Sequence, residues 1–278
     1  MSERKFFHAT DQAAKWIMVW FIGMAVWWIA LNAGGFVDTL PNYLYGLVLG
    51  LIPVVGGLVG LHRSKAWGGG GSAMGRAIGS LSVGLITWGV GTLIFAYYNI
   101  FAGIAVPYPS IADVFYLVSC PLWFMGVVFL SRATGVRFSL RKMGGKIQLF
   151  VIPLLVAVFS YYALVVVARQ GVLFTNTLQF WNVFFDLAYP LADVFILTLV
   201  LLVFGLSYEH LGGRFKFPIL ILLFGFVVMY LADFSFSWTT VHETFFVSSW
   251  VDFLFTSAMT LISLGTVMLN PGLPKEGE

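Results

Sequence analysis

The sequence predicts an all-α, polytopic membrane protein of eight transmembrane helices arranged as repeated hairpins. Three observations predict it. Of 278 residues, 60% are apolar and only 10% are charged, where a soluble domain carries about 25% charged residues. The charges stand between apolar runs long enough to cross a bilayer. The basic ones also alternate in placement: of 15 Lys and Arg, all but Arg169 fall in the N-terminal segment, 62–76, 132–146, 207–217 or the C-terminal tail. This composition excludes a soluble enzyme, a disordered chain and a nucleic-acid module.

The first span covers about 15–34. Its apolar run from Trp16 to Leu31 is too long for a signal-peptide core, and no A-x-A site follows it. The second, 42–61, opens with Leu40-Pro-Asn42-Tyr-Leu-Tyr45. The segment Trp67-Gly-Gly-Gly-Gly-Ser72 reads as a flexible linker before the third span, 77–104. The fourth and fifth spans are 111–131 and 147–168. The sixth, 179–206, has a core from Pro190 to Leu206 of roughly 25 Å, short for a bilayer. Phe180–Tyr189 either extends it through a bend at Pro190 or lies in the interface. The seventh and eighth spans are 218–240 and 249–269. The whole, 1–278, reads as a single integral membrane domain. Gly46 and Gly50, Gly56 and Gly60, and Gly75 and Gly79 have the spacing that lets helix backbones approach closely in lipid.

An even number of spans puts both termini on one side. The positive-inside rule makes that side the cytoplasm, with the chain in the cytoplasmic (inner) membrane. The basic charge is therefore a topology signal and a weak attraction for anionic lipid, not evidence of nucleic-acid binding.

A short pattern recurs. Ile111-Ala-Asp-Val-Phe-Tyr-Leu117 and Leu191-Ala-Asp-Val-Phe-Ile-Leu197 agree at five of seven positions, after Pro109 and Pro190. Trp250-Val-Asp252 and Leu40-Pro-Asn42 open the eighth and second spans in a similar way. The expectation is a hairpin repeated four times, each even-numbered helix starting with a polar residue at the same depth.

Seven of the 12 carboxylates fall in the outer loops or the outer third of the helices: Asp38, Asp113, Asp186, Asp193, Asp233, Glu243 and Asp252. They face one base, Arg169. Carboxylates near lipid are costly and turn to a bundle interior or a watered cavity. Asp113, Asp193 and Asp252 are expected to cap helix N-termini, given Ser110, Pro190 and Ser249 nearby. Asp233 falls near the end of its helix, where the helix dipole opposes it, so it needs a donor, a cation or a proton. Asp186 and Asp193, seven apart, share a face if 180–206 is one helix, with Tyr189 near that face. Tyr97, Tyr98 and Asn99 supply donors at the same level. The candidate ligand-binding set is thus Asp113, Asp186, Asp193, Asp233, Asp252, Tyr97, Tyr98, Asn99 and Tyr189. It forms either a pocket for a small molecule or cation, or a purely structural polar network.

Other chemistry is not encoded. Every Lys lies in a loop or, like Lys15, at the cytoplasmic end of a span, which excludes a retinal Schiff base. His8, His62, His210 and His242 stand in loops or at helix ends, which argues against bis-His haem. No G-x-S-x-G, HExxH or P-loop occurs. His242-Glu243 is a weak metal signal, and the lone Cys120 reads as a buried packing residue. No cofactor is assigned. The 28 Phe, 11 Tyr and 10 Trp read as interfacial belts and packing, or as the lining of a cavity for a flat apolar ligand.

Trp88-Gly-Val-Gly-Thr-Leu-Ile-Phe-Ala-Tyr97-Tyr98-Asn99, followed by Val106-Pro-Tyr-Pro-Ser-Ile-Ala-Asp113-Val-Phe-Tyr-Leu117, resembles a segment of the multi-helix membrane sensor regions found N-terminal to bacterial diguanylate cyclases and histidine kinases. The close resemblance covers about 40 residues, and these 278 residues include no such output domain. The resemblance implies a sensor or ligand-binding module acting through a separate cytoplasmic signalling partner or a membrane complex. It transfers no ligand and no binding residue. The functions to weigh are a non-enzymatic sensor, a small transporter or channel, an intramembrane lipid hydrolase, and a structural subunit.

Overall fold

The computed structural model describes residues 11–134, 136, 143–172, 180–207 and 215–272. Among them are eight helices long and apolar enough to cross a membrane. They are α1 (Gln12–Ala33), α2 (Leu40–Ala66), α3 (Ala73–Tyr97, continued by a π turn Tyr98–Ala102), α4 (Ile111–Ala133), α5 (Met143–Ser160, continued as π helix Tyr161–Ala168), α6 (Phe180–Ser207), α7 (Lys216–Val241) and α8 (Trp250–Met268). The protein is an all-α, polytopic membrane protein.

Local chemistry starts these helices. Asp11 accepts the Ala13 amide and begins α1. Thr39 and Asn42 form a capping box on α2, with Pro41 in its first turn. Ser72 accepts the Gly75 amide at the start of α3. Ser110 and Asp113 form the capping box of α4. On α8, Asp252 accepts the Ser248 amide at 2.6 Å.

The packing order is a closed circuit. α2 packs on α3, α3 on α4, α4 on α6, α6 on α7, α7 on α8 and α8 on α2. α8 also touches α3 across the circuit. α1 lies outside against α2 and α8, and α5 lies outside against α6 and α7. α8 is the most enclosed, with 72% of its apolar window buried, against 22% for α6 and 17% each for α1 and α5. Trp123 of α4 meets Phe226 of α7 edge-on at 5.6 Å in the main core. Backbones approach closely at Gly56 and Gly60 of α2. A Cβ there would collide with Ser263 Oγ and Ser82 Oγ respectively. That is the close approach in lipid that glycine spacing permits.

Two ends can be told apart by charge. At the basic end, Asp11 pairs with Arg63 and also accepts the Asn270 amide at 2.7 Å. This ties the start of α1 to α2 and to the residues after α8. Half of the basic tally that sets the expected orientation (Arg4, Lys5, Arg137, Arg141, Lys142, Arg214 and Lys275) lies outside the described residues. Both π-helical segments sit at the other, acidic end.

Three sequence expectations are corrected. The Gly-rich segment is a compact turn, not a linker. Gly69–Gly71 forms a 3-10 turn, Ser72 Oγ donates to the Trp67 carbonyl, and Trp67 Nε1 donates to the Leu269 carbonyl at 2.9 Å. Asp193 caps nothing, because α6 runs unbroken from Phe180 through Pro190 to Ser207. The common depth also fails at α6. Asn42, Asp113 and Asp252 each hold the third position of their helix, whereas Asp193 stands well inside its own.

Candidate functional site at the acidic end of α4, α6 and α7

Pro190 explains the local geometry of α6. A proline inside a helix has no N–H for the carbonyl four residues back. That carbonyl belongs to Asp186, and it accepts Arg169 Nη1 at 2.9 Å instead. A charged donor from the end of the preceding helix thus repairs the interruption, and α6 continues.

The Asp186 side chain faces the loop before α4. Its Oδ1 accepts the Tyr108 hydroxyl at 2.8 Å. Burial, and then the hydrogen bond to Asp186, push the Tyr108 hydroxyl up from its ordinary range, so it stays a donor. One turn earlier, Asn182 Nδ2 reaches the Tyr108 carbonyl at 3.4 Å. Asn182 is buried and its Oδ1 has no partner.

Asp113 serves two helices. Its Oδ2 accepts the Ser110 amide at 2.7 Å and the Ser110 hydroxyl at 2.9 Å, closing the cap of α4. Its Oδ1 accepts the Tyr189 hydroxyl of α6 at 3.0 Å. The expected cap is present, and it doubles as the bond between α4 and α6.

Deeper in the seam, Asp193 of α6 and Asp233 of α7 face each other with their carboxyls in hydrogen-bonding contact. Both residues are half-buried. Two carboxylates offer only acceptors, so a hydrogen bond between them requires a proton on one of them. The stabiliser that Asp233 needs is another acid. Arg169 lies within electrostatic reach of Asp193, and Cys120 of α4 lies within reach of both acids. Below them, the Tyr230 hydroxyl of α7 donates to Ser160 Oγ of α5 at 3.0 Å.

The structure therefore brings Asp113, Asp186, Asp193, Asp233 and Tyr189 to the seam of α4, α6 and α7. Asp252 belongs to a second cluster between α2 and α8. There Asn42 Nδ2 donates to Ser248 Oγ at 2.6 Å, and Tyr45 hydrogen-bonds Thr256 at 2.9 Å. Tyr97, Tyr98 and Asn99 end α3. Tyr97 is exposed and stacks on Phe101. None of these three side chains hydrogen-bonds to the acids among the described residues. Tyr98 instead lines an open groove of about 400 Å³, with Pro107, Pro109, Ile111, Trp181 and Phe185 among its walls. No group of three or more His, Cys, Asp or Glu suited to a metal occurs among the described residues.

Tyr108, Asn182 and the backbone role of Arg169 are not in the sequence-derived set. A local signal existed for one of them. The position of Pro190 predicts an orphan carbonyl at Asp186, and Arg169 is the only Lys or Arg that the sequence places at that end.

Fold and site together define a multi-pass helical membrane protein with a carboxyl-bearing seam between three helices. No protein-family model matches the chain, no curated protein matches its sequence, and no solved structure matches its fold.

Proposed function

We propose that this chain is a non-enzymatic membrane sensor whose receiving element is the seam of α4, α6 and α7. The observation that carries the reading is the Asp193–Asp233 carboxyl pair, shared between two neighbouring helices. Its state depends on what occupies it. With one proton the two helices are bridged. Loss of that proton sets two like charges against each other unless a cation or a cationic ligand takes its place. Either change alters the free energy of one helix packing, which is what a population shift requires. α6 is the element free to respond, because little of it is buried.

The acidic end is read as facing outside, from the basic residues gathered at the other end. The resemblance to bacterial sensor regions agrees with this reading and supplies the expected output, a separate cytoplasmic partner or a membrane complex. A transporter needs a polar path to the other side. Towards the basic end Ser207 and Thr266 donate within their own helices, to the Val203 and Ile262 carbonyls, and the Ser82 and Ser263 hydroxyls, pressed against Gly60 and Gly56, have no hydrogen-bond partner, so these buried hydroxyls are not linked to one another.

The test uses the full chain in liposomes, with spin labels at Phe204→Cys and Phe224→Cys in a Cys120→Ser background. Both labelled positions are exposed on their helices. The α6–α7 distance distribution is expected to change when external pH or cation is varied. Asp193→Asn and Asp233→Asn are expected to abolish that change. An unchanged distribution in the parent, or ion flux lost on Asp193→Asn, overturns the sensor reading.

A further inference from the structure

The groove beside Tyr98 has features that the carboxyl pair does not explain. Its walls are apolar and aromatic, and it opens at the end where α3 relaxes into a π turn. Trp181 and Phe185 of its wall are four residues apart on α6 and form one row of that helix. The next row round the helix carries Asn182 and Asp186. A polar edge therefore backs an apolar trough.

That edge offers acceptors. Asn182 is 8% exposed, and its Oδ1 is sealed without a partner, while its Nδ2 is directed at the Tyr108 carbonyl. An orphan acceptor of this kind is costly in a low-dielectric setting. It calls for a donor. Charge narrows the choice further. Asp113 and Asp186 both act on Tyr108, against the single positive charge of Arg169. The donor that fits an acceptor in a net negative field is a cationic N–H. Asn182 is not itself in the groove wall: it follows Trp181 of that wall and bonds Tyr108, which lies between the wall residues Pro107 and Pro109. A headgroup therefore reaches it only when Trp181, 61% exposed and in ring contact with Phe180 and Phe184, moves aside.

We infer that this groove binds a phospholipid bearing a primary ammonium, its glycerol and first methylenes on Pro107, Pro109 and Phe185, and its ammonium donating to Asn182 Oδ1 beside Asp186. The lipid comes from the leaflet at the acidic end. The inference rests on the reading of that end as the ligand-receiving one, and it names the ligand class of the groove. A quaternary ammonium carries the same charge with no N–H, so it leaves Asn182 unpaired. Donor chemistry, rather than charge, is then the basis of selection.

The full chain, purified from bilayers holding equal amounts of phosphatidylethanolamine, phosphatidylcholine and phosphatidylglycerol with identical acyl chains, is analysed by native mass spectrometry for retained lipid. Phosphatidylethanolamine is expected to be retained about tenfold over phosphatidylcholine, the size of one charge-assisted hydrogen bond. Asn182→Leu is expected to erase that preference, and Asn182→Asp to restore it. Should Asn182→Leu fail to fold, Asp186→Asn provides the second arm, with a reduced preference expected. Equal retention of the two zwitterionic lipids, preference for phosphatidylglycerol, or a preference unchanged in Asn182→Leu overturns the inference. None of these results bears on the α6–α7 distance measurement, so the two proposals fail separately.

Discussion

Arg169 donates a hydrogen bond of 2.9 Å to the main-chain oxygen of Asp186, the oxygen that Pro190 leaves without its helical partner. The bond spans two helices and lets α6 pass through a proline unbroken. It also holds Arg169 beside Asp186 and within electrostatic reach of Asp193.

Arg169→Gln is expected to destabilise the protein by about 1–3 kcal/mol, the cost of leaving a buried acceptor unmade. Pro190→Ala restores the N–H that Asp186 lacks. In a Pro190→Ala background the Arg169→Gln penalty should therefore shrink. Thermal unfolding in detergent across this double-mutant cycle measures the coupling; equal penalties in both backgrounds contradict the repair.

Asp193→Asn and Asp193→Ala should differ. Asn keeps a donor for Asp233, whereas Ala leaves that carboxyl in a half-buried seam with its partner gone. The Ala variant is expected to be less stable than the Asn variant by about 1–3 kcal/mol. Chemical unfolding of the two in matched detergent decides it. Identical stabilities mean that the carboxyls are not engaged.

Ser110→Ala removes the hydroxyl of the α4 capping box and should cost about 0.5–2 kcal/mol. Amide exchange should show fraying confined to the first turn of α4. Protection lost instead along α6 as well would mean that the Asp113–Tyr189 bond depends on the cap.

Tyr108 supplies a pH dependence. Its hydroxyl is pushed up in the folded protein. A group raised on folding contributes stability that is present below its unfolded value, about pH 10, and is lost as the pH climbs through the folded one. Stability should thus decline above about pH 10, and Tyr108→Phe should lessen that decline while lowering stability at neutral pH. Unfolding followed from pH 7 to pH 11 in both proteins checks it; parallel curves contradict the assignment.

At the basic end, Asp11→Ala removes the partner of both Arg63 and Asn270. A loss of about 1–3 kcal/mol is expected, with faster proteolysis near residue 270. A wild-type cleavage rate would show that this contact does not hold the end together.

The spans were legible because a bilayer forces each apolar run to satisfy its own backbone bonds, so length and hydropathy suffice. The caps were legible where Ser110 and Asp113 stand at fixed spacing. Asp193 was misread for a physical reason. Pro190 looks like a first-turn proline, and only Arg169, from another helix, makes it an interior one. The meeting of Asp193 with Asp233 was not legible at all. It depends on α6 and α7 lying side by side, which no local pattern states. Asn182 was missed because its signal, an orphan oxygen, exists only once Tyr108 is folded against it. The Gly-rich segment misled in the other direction. Ser72 and Trp67 give a seemingly loose stretch fixed partners.

The most direct measurement is the carboxyl stretch in the infrared spectrum of the reconstituted full chain. A protonated carboxyl band is predicted in the parent protein, lost in Asp193→Asn and lost equally in Asp233→Asn, since one proton serves both. A parent spectrum without that band, or a band surviving both substitutions, contradicts the shared proton on which the sensing account is built.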